Sequence, residues 1–283
     1  MTSEQPLRGL LVDLDGVVYR GHEPCPGAVE GLERARRHGI QVLFITNNAS
    51  RTARDTAAFL QDLGVAADED DVLTSSRVAG EVLRDLDLPG EGARALAVGG
   101  PGLAETLADL GLSVVRPEQL RRARDEGSAV PAVSVVVQGF GPDLGVSDLT
   151  EAAYAVAAGA RWVATNDDAT IPTPHGLAPG NGSLLAAVAH ALGRGPDLVT
   201  GKPHPPAYEI AARVLGVDAG DLLAIGDRLD TDIAGANAAG LRTALVLTGV
   251  HGRDDVEAAE PQDRPGHVAD TIPDLLDELG VAS

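Results

Sequence analysis

Short apolar runs alternate with amphipathic segments along the first part of the chain. The runs at residues 10–12, 41–45 and 72–74 are bounded by turn-forming residues, a pattern that predicts buried strands. Residues 27–38 and 53–63 place apolar side chains at helical spacing instead. The resulting strand–helix–strand–helix order predicts a parallel sheet with crossover helices, which is an α/β fold.

The pattern restarts after a Pro- and Gly-rich break at residues 88–92, which is a candidate linker. Residues 169–182 interrupt it again, because their Pro and Gly content is typical of a loop. The strands predicted beyond the candidate linker are 94–98, 112–115, 132–138, 161–164, 197–200, 222–225 and 243–247. The helices predicted there are 101–110, 118–126, 147–158, 182–192, 206–215, 231–239 and 272–279.

Composition and charge exclude several classes of protein. The 283 residues carry a net charge of −20, which disfavours binding to the phosphate backbone of nucleic acid. Cys25 is the single cysteine, so an internal disulfide is excluded and a reducing compartment is favoured. The N-terminus has no apolar segment of signal-peptide length, and no apolar run is long enough to span a membrane. We therefore expect a cytoplasmic protein with no nucleic-acid or membrane partner.

Polar or charged residues follow four of the predicted strands, and ligands bind beyond the carboxyl ends of parallel strands. Taken alone, each has an ordinary explanation: Thr46 could cap the next helix, and Asp227 could open a turn. Taken together, they describe one pocket with carboxylates, a hydroxyl and an ammonium. The residues are Asp13, Asp15, Thr46, Asn47, Lys202, Asp227 and Asp232.

Such a pocket suits a phosphate ester and a hard cation. Mg²⁺ prefers oxygen ligands and often shares them with a substrate phosphate. Lys202, the Thr46 hydroxyl and backbone N–H groups around Gly16 and Asn47 could bind that phosphate. An aspartate oxygen could attack phosphorus, and a neighbouring aspartate could protonate the leaving alkoxide. Lys202 is the single lysine among 22 basic residues, which suggests that this position requires a compact ammonium.

Four segments in order carry a family resemblance. They are DLDGV at 13–17, FITNNAS at 44–50, GKP at 201–203 and GDRLDTDI at 226–233. This set resembles the four motifs of the haloacid dehalogenase (HAD) superfamily of phosphotransferases.

The resemblance implies a role for each matching residue. Asp13 would be the nucleophile and Asp15 the general acid/base, while Thr46 and Lys202 would bind the phosphate. Asp13, the Asp15 carbonyl and Asp227 would hold Mg²⁺, and Asp232 would act on the metal through water.

The spacing of the motifs predicts an inserted domain. Thr46 and Lys202 are separated by 155 residues, whereas one βα unit needs only about 30. The excess resembles the nitrophenylphosphatase-like and phosphoglycolate phosphatase-like subgroup, which has a large α/β cap between its second and third motifs. We therefore expect a Rossmann-like parallel-sheet core at residues 1–92 and 196–283, with the cap at 93–195.

We expect a movable cap whose loop at 166–175 lies over the leaving group, and by the same resemblance we expect the cap to pair two copies into a homodimer. The candidate residues of this loop are Asn166, Asp167, Ile171, Thr173 and His175. His175 could alternatively satisfy only the backbone of its own loop.

The expected activity is Mg²⁺-dependent hydrolysis of a small phosphorylated metabolite through an aspartyl phosphate. TNNASR, PGNGS and GDRLDTDI are similar to segments of phosphatases that act on glycerol 3-phosphate, which makes that ester one candidate. Phosphoglycolate, another small phosphometabolite and a sugar phosphomutase activity are alternatives, as is a non-catalytic binding protein. Dinucleotide- and nucleotide-triphosphate-binding loops are disfavoured, because Glu105 and Leu144 interrupt the glycine pattern and Pro203 follows Lys202.

Overall fold

A computed structural model describes residues 7–86, 94–173 and 175–282. The described residues form two compact units. The first contains residues 7–46, 53–73 and 202–282, and the second contains 47–52, 74–86, 94–173 and 175–201. The candidate linker at 88–92 and the first six residues of the chain lie outside the described ranges.

The strands have two to six residues and the α-helices have five to twelve. The strands are β1 (Gly9–Val12), β2 (Tyr19–Arg20), β3 (Glu23–Pro24), β4 (Gln41–Thr46), β5 (Val72–Thr74), β6 (Arg94–Val98), β7 (Ser113–Val115), β8 (Val135–Gln138), β9 (Arg161–Ala164), β10 (Thr170–Thr173), β11 (Gly176–Pro179), β12 (Leu198–Val199), β13 (Leu222–Gly226), β14 (Arg242–Val246) and β15 (His267–Ala269). The α-helices are α1 (Ala28–Arg37), α2 (Ala53–Asp62), α3 (Ser75–Asp85), α4 (Pro101–Asp109), α5 (Pro117–Asp125), α6 (Val146–Ala157), α7 (Asn181–Leu192), α8 (Pro205–Leu215), α9 (Ala234–Ala238), α10 (Arg253–Ala258) and α11 (Ile272–Glu278). None of these described helices is long and apolar enough to cross a bilayer.

The first unit is built on a six-stranded sheet in the order β15-β14-β13-β1-β4-β5. Strand β1 pairs in parallel with both neighbours, so that Val12 lies opposite Ile225 on one side and Phe44 on the other. The chain fills the sheet outward in both directions from β1. The boundary between β1 and β13 is therefore the topological switch point, where open α/β sheets bind their ligands.

Burial on both faces explains the apolar sequence of the central strands. All four residues of β1 are buried, as expected for a parallel strand with structure packed on either side. Leu10, Val12 and Phe44 share one apolar cluster with Leu32 of α1 and Leu275 of α11. Successive side chains of a strand point to opposite faces, so this cluster holds one face of the sheet.

The second unit has its own parallel sheet, in the order β12-β9-β8-β6-β7. On one face, Leu96 and Trp162 belong to an apolar cluster that also contains residues of α5, α6 and α7. On the other face, Ala97 and Val137 cluster with residues of α3 and α4. Both units are therefore α/β structures with parallel sheets, and the predicted fold class is confirmed.

Three local expectations differ from the structure. The segment predicted as a loop at 169–182 contains the antiparallel hairpin β10–β11, whose strands pair with each other rather than joining a larger sheet. The helix predicted at 231–239 begins earlier, with a π-helical turn at Leu229–Ile233 that precedes α9. Strand β15 was not predicted, because a three-residue strand is too short to show a clear apolar pattern.

Helix α3 belongs to the second unit by its contacts. Ala79 and Leu83 of this helix pack with Leu103 and Leu107 of α4 in one apolar cluster. The cap predicted at 93–195 does not include α3, and its boundaries as a functional domain stay a prediction.

A buried arginine ties α1 to the C-terminal segment of the first unit. The Arg34 guanidinium donates to Asp277 Oδ1 at 2.5 Å, to the Ala282 carbonyl at 3.0 Å and to the Val281 carbonyl. We expect Arg34→Met to lower the free energy of unfolding by about 1–3 kcal/mol, because the hydrogen bonds that the buried guanidinium donates to the C-terminal segment are lost. Arg37→Met, on the exposed face of the same helix, is the matched control. Equal losses for the two variants in urea denaturation would contradict this prediction.

Candidate active site

Strand β1 brings Asp13 to the carboxyl edge of the first sheet. The Asp13 N–H donates to the Ile225 carbonyl at 2.9 Å, so pairing with β13 continues one residue past the strand. A tight turn follows, in which the Leu14 carbonyl accepts the N–H groups of Val18 and Tyr19 at 2.9 and 3.1 Å. Backbone pairing on both sides of Asp13 therefore fixes its position.

Gly16 allows this turn to approach Asp227 closely. Its φ is +82°, a conformation that favours glycine. A Cβ at this position would lie 2.4 Å from Asp227 Oδ2, which is too short for a non-bonded contact. The Gly16 N–H donates to the Tyr19 carbonyl at 2.8 Å, so it is already engaged within the turn. The structure gives Gly16 a steric role here, and a phosphate contact through its N–H stays a prediction.

Asp227 follows β13 across the switch point from Asp13. One carboxylate oxygen, Oδ2, accepts the Val250 N–H at 2.8 Å, whereas the buried Oδ1 has no hydrogen-bond partner among the described residues. Burial raises the pKa of Asp227 to about 6, and the neighbouring Asp232 carboxylate adds to the rise. A buried carboxylate oxygen without a donor is well suited to a cation.

Lys202 joins two of the acids. Its Nζ donates to Asp13 Oδ1 at 2.5 Å and to Asp232 Oδ1 at 2.7 Å. The second Asp232 oxygen accepts the Arg228 N–H at 3.2 Å. Burial alone would lower the pKa of Lys202, but the Asp13 and Asp232 carboxylates raise it well above its usual value. The lysine is therefore held as an ammonium.

The acids carry more charge than the lysine can neutralise. Oxygens of Asp13, Asp227 and Asp232 lie within 4.8 Å of one another, and Asp227 and Asp232 are 2% and 4% exposed. Burial raises the pKa of Asp13 well above its usual value, Lys202 opposes that rise, and the other two acids add to it. Three ionised carboxylates and one ammonium leave two negative charges, which one divalent cation would balance. The donor set is all oxygen and therefore fits Mg²⁺.

The other predicted core residues lie at or after the ends of β1 and β4 in the sequence. Asp15 is exposed, two residues beyond Asp13 in the turn. Thr46 is buried and ends β4, the strand beside β1. Asn47 belongs to the second unit, where its Nδ2 donates to the two Asp168 carboxylate oxygens at 3.1 and 3.3 Å. The structure therefore brings the Asp13–Lys202–Asp227–Asp232 cluster together, and the contacts of Asn47 with a phosphate stay a prediction.

The predicted cap-loop residues divide into buried and exposed groups. Asn166 is buried, and its Nδ2 donates to the Asn47 carbonyl at 2.7 Å, which indicates a structural function. Asp167, Thr173 and His175 are exposed. Ile171 pairs with Ala178 across the hairpin β10–β11.

Within the hairpin, Thr173 organises the turn. Its hydroxyl donates to the Gly176 carbonyl at 2.7 Å and accepts the His175 N–H at 3.2 Å. His175 therefore contributes a backbone N–H to the hydrogen bonds of the turn. Its imidazole is exposed, and a contact of that ring with substrate stays a prediction.

Sequence reasoning missed residues that contact the predicted site residues or the segments that carry them. Asp168 stood in the polar run after β9 and could have been included with Asp167. Val250 and His251 gave no signal, because they contact the Asp227 segment from a distant part of the sequence. Tyr208 likewise donates to the Thr231 carbonyl at 2.9 Å.

The fold and the cluster define an α/β protein with a carboxylate-rich site at the carboxyl edge of a parallel sheet, and two family models match the chain. Residues 10–113 match a model described as haloacid dehalogenase-like hydrolase. Residues 199–275 match a second, HAD-hydrolase-like model.

Similar proteins agree with this assignment. The D-glycerol 3-phosphate phosphatase of Mycobacterium tuberculosis is 46% identical over 94% of this chain and 70% of its own length. A crystal structure of glycerol phosphate phosphatase from M. tuberculosis in complex with magnesium matches with a TM-score of 0.84 and 44% identity, over 96% of this chain and 77% of that one. The p-nitrophenyl phosphatase of Archaeoglobus fulgidus matches with a TM-score of 0.85 and 30% identity, over 97% of this chain and all of the other.

The chain belongs to the haloacid dehalogenase-like hydrolase family. The resemblance to phosphatases of this family is thereby confirmed, as is the predicted class of enzyme.

Proposed function

We propose that this protein is a Mg²⁺-dependent phosphatase of small phosphate monoesters, acting through an aspartyl phosphate on Asp13. The observation that carries the proposal is the buried cluster of Asp13, Asp227 and Asp232 around the Lys202 ammonium. Phosphoryl transfer needs fixed positive charge and a placed nucleophile, and the cluster provides the sites for both.

Asp13 is the proposed nucleophile. One of its oxygens bonds to phosphorus while the bond from phosphorus to the alcohol oxygen breaks. Asp15, the exposed acid two residues away, gives its proton to the leaving alkoxide and then takes a proton from the attacking water. That water cleaves the bond from phosphorus to Asp13, which releases phosphate and restores the free carboxylate.

Lys202, together with a cation held by the acids, would stabilise the charge of the phosphoryl group. Lys202 contacts Asp13 already, so the same ammonium can orient the nucleophile and bind a phosphate oxygen. The Thr46 hydroxyl, at the neighbouring strand end, is a second proposed phosphate donor. Mg²⁺, when held by Asp13, the Asp15 carbonyl and Asp227, with Asp232 acting through water, supplies charge neutralisation for the phosphate.

Glycerol 3-phosphate is the proposed substrate, supported by 46% identity to the M. tuberculosis enzyme of that name. Phosphoglycolate and other small phosphometabolites are the competing substrates, and a phosphomutase would use the same core residues. A panel of small esters ranks the substrates. Free phosphate as product identifies a phosphatase, whereas a phosphosugar identifies a mutase.

We also propose that the cap forms a homodimer and that the enzyme works in the cytoplasm. On α6, Val146 and Tyr154 are 82% and 56% exposed and lie about two helical turns apart, on one face of the helix. We place the proposed contact between copies at this pair, because aromatic side chains are enriched in such contacts. The cytoplasmic location is supported by Cys25 being the only cysteine.

The first prediction concerns the metal and the nucleophile. EDTA should reduce phosphatase activity to background, because the acids would then repel the phosphate. Asp13→Asn should fold normally and lose more than about 10³-fold in kcat. Asp230→Asn is the matched control, since Asp230 is exposed and pairs with Arg228 at 2.7 Å. Full activity in EDTA, or in Asp13→Asn, would show that the chemistry occurs elsewhere.

The second prediction concerns the shape of the Lys202 side chain. Lys202→Met should lower kcat by about 10²–10³-fold, because the transferring phosphoryl group loses a fixed cation. Lys202→Arg should recover little, since a planar guanidinium cannot replace a compact ammonium between two buried oxygens. Arg228→Met, which removes a nearby but exposed cation, should stay near wild type. Restoration by arginine would mean that charge alone matters.

The third prediction concerns the hairpin β10–β11, which we propose reads the alcohol part of the substrate. His175→Ala should change the ratio of kcat/KM between glycerol 3-phosphate and p-nitrophenyl phosphate by about tenfold. His190→Ala, at an exposed position of α7, is the matched control. Unchanged ratios in both variants would place substrate selectivity in other residues.

The fourth prediction concerns assembly. Sedimentation at micromolar concentration should give a dimer, and Tyr154→Arg should shift it toward monomer by placing a charge on the proposed contact. A monomeric wild-type protein under these conditions would end the proposal.

A further inference from the structure

The segment that follows β14 makes three hydrogen bonds to the segment that carries two of the acids. The Val250 N–H donates to Asp227 Oδ2 at 2.8 Å, and the His251 N–H donates to the Asp227 carbonyl at 3.1 Å. In the opposite direction, the Leu229 N–H donates to His251 Nδ1 at 2.9 Å. We call residues 248–251 the clamp loop.

The contact with Leu229 makes the His251 ring a hydrogen-bond acceptor. A backbone N–H can only donate, so His251 Nδ1 accepts it through its lone pair. Leu229 opens the π-helical turn that contains Asp232 and has little exposure to water. Donors in the first turn of a helix have no acceptor within the helix, and His251 supplies one.

The clamp loop also contacts the segment that carries Asp13. The Thr248 hydroxyl donates to the Gly16 carbonyl at 2.7 Å. A Cβ at Gly249 would lie 2.0 Å from Asp227 Oδ2, so only glycine lets the loop come this close to the acid. The Val250 side chain is 64% exposed, so the loop uses its polar backbone here rather than apolar packing.

We propose that His251 is a positioning residue for the metal site. By accepting the Leu229 N–H, its imidazole holds the segment between Asp227 and Asp232 so that both carboxylates keep their places in the cluster. The effect is expected on metal affinity first, because residues that orient ligands typically change it by about 10–100-fold. This inference rests on the proposed function, since it takes the cluster to be a Mg²⁺ site.

The experiment compares His251→Leu, which has similar volume and no acceptor, with His251→Asn, whose Oδ1 can accept where Nδ1 did. Two readouts are the Mg²⁺ concentration for half-maximal activity and the rise in melting temperature on adding Mg²⁺ without substrate. For His251→Leu we expect at least a tenfold higher Mg²⁺ requirement and a smaller temperature rise, with little change in KM at saturating Mg²⁺. His251→Asn should behave like wild type. His267→Leu, on strand β15, is the matched control and should also match wild type.

The outcomes separate this inference from the function on which it rests. If Mg²⁺ neither stabilises nor activates the wild-type protein, the proposed function fails. If it does both, and His251→Leu responds to Mg²⁺ as wild type does, the positioning role is overturned. Should His251→Leu not fold, His251→Gln replaces it, because its longer amide places the acceptor wrongly. Equal Mg²⁺ responses of the Asn and Gln variants would then overturn the inference.

Discussion

The contact of one buried ammonium with the buried Asp232 carboxylate and the partly exposed Asp13 carboxylate is the interaction on which the candidate site depends. Lys202 Nζ lies 2.5 Å from Asp13 Oδ1 and 2.7 Å from Asp232 Oδ1, and these residues come from three separate parts of the chain. Without it, three acids would share a small, poorly solvated volume and repel one another. With it, two negative charges remain uncompensated when all three acids are ionised. The site is therefore electrostatically incomplete until a divalent cation is present, which connects its structure directly to its proposed chemistry.

The fold makes this arrangement possible through the order of its strands. Asp13 and Asp227 leave adjacent parallel strands on either side of the switch point, so residues more than 200 positions apart meet at one edge. Two glycines allow the backbone to approach Asp227 closely, because a Cβ at Gly16 or at Gly249 would collide with its carboxylate. The unpartnered Asp227 Oδ1 and its raised pKa follow from the same crowding and burial. Burial of these acids lowers the stability of the fold locally, and it produces a site that can bind a cation.

The sequence was sufficient to predict the site residues that follow directly after strands. Apolar runs followed by Asp13, Lys202 and Asp227 were recognisable because parallel strands end at one edge. The hairpin β10–β11 was not recognised, since its strands pair only with each other and contain residues typical of loops. The His251 contact and the Asn47–Asp168 contact could not be predicted either. Both contacts join residues that are distant in sequence, and the pattern of apolar and polar positions along the chain does not indicate which distant residues form hydrogen bonds.

The central claim is that the cluster around Lys202 performs phosphoryl transfer through Asp13. The most direct test is rapid acid quenching during turnover of a small phosphate ester with Mg²⁺, followed by peptide mass mapping. The account predicts a phosphoryl group on Asp13 that hydroxylamine removes, as expected of an acyl phosphate. A phosphoryl group on any other residue would contradict the account, as would inversion of configuration at phosphorus, which indicates direct attack by water.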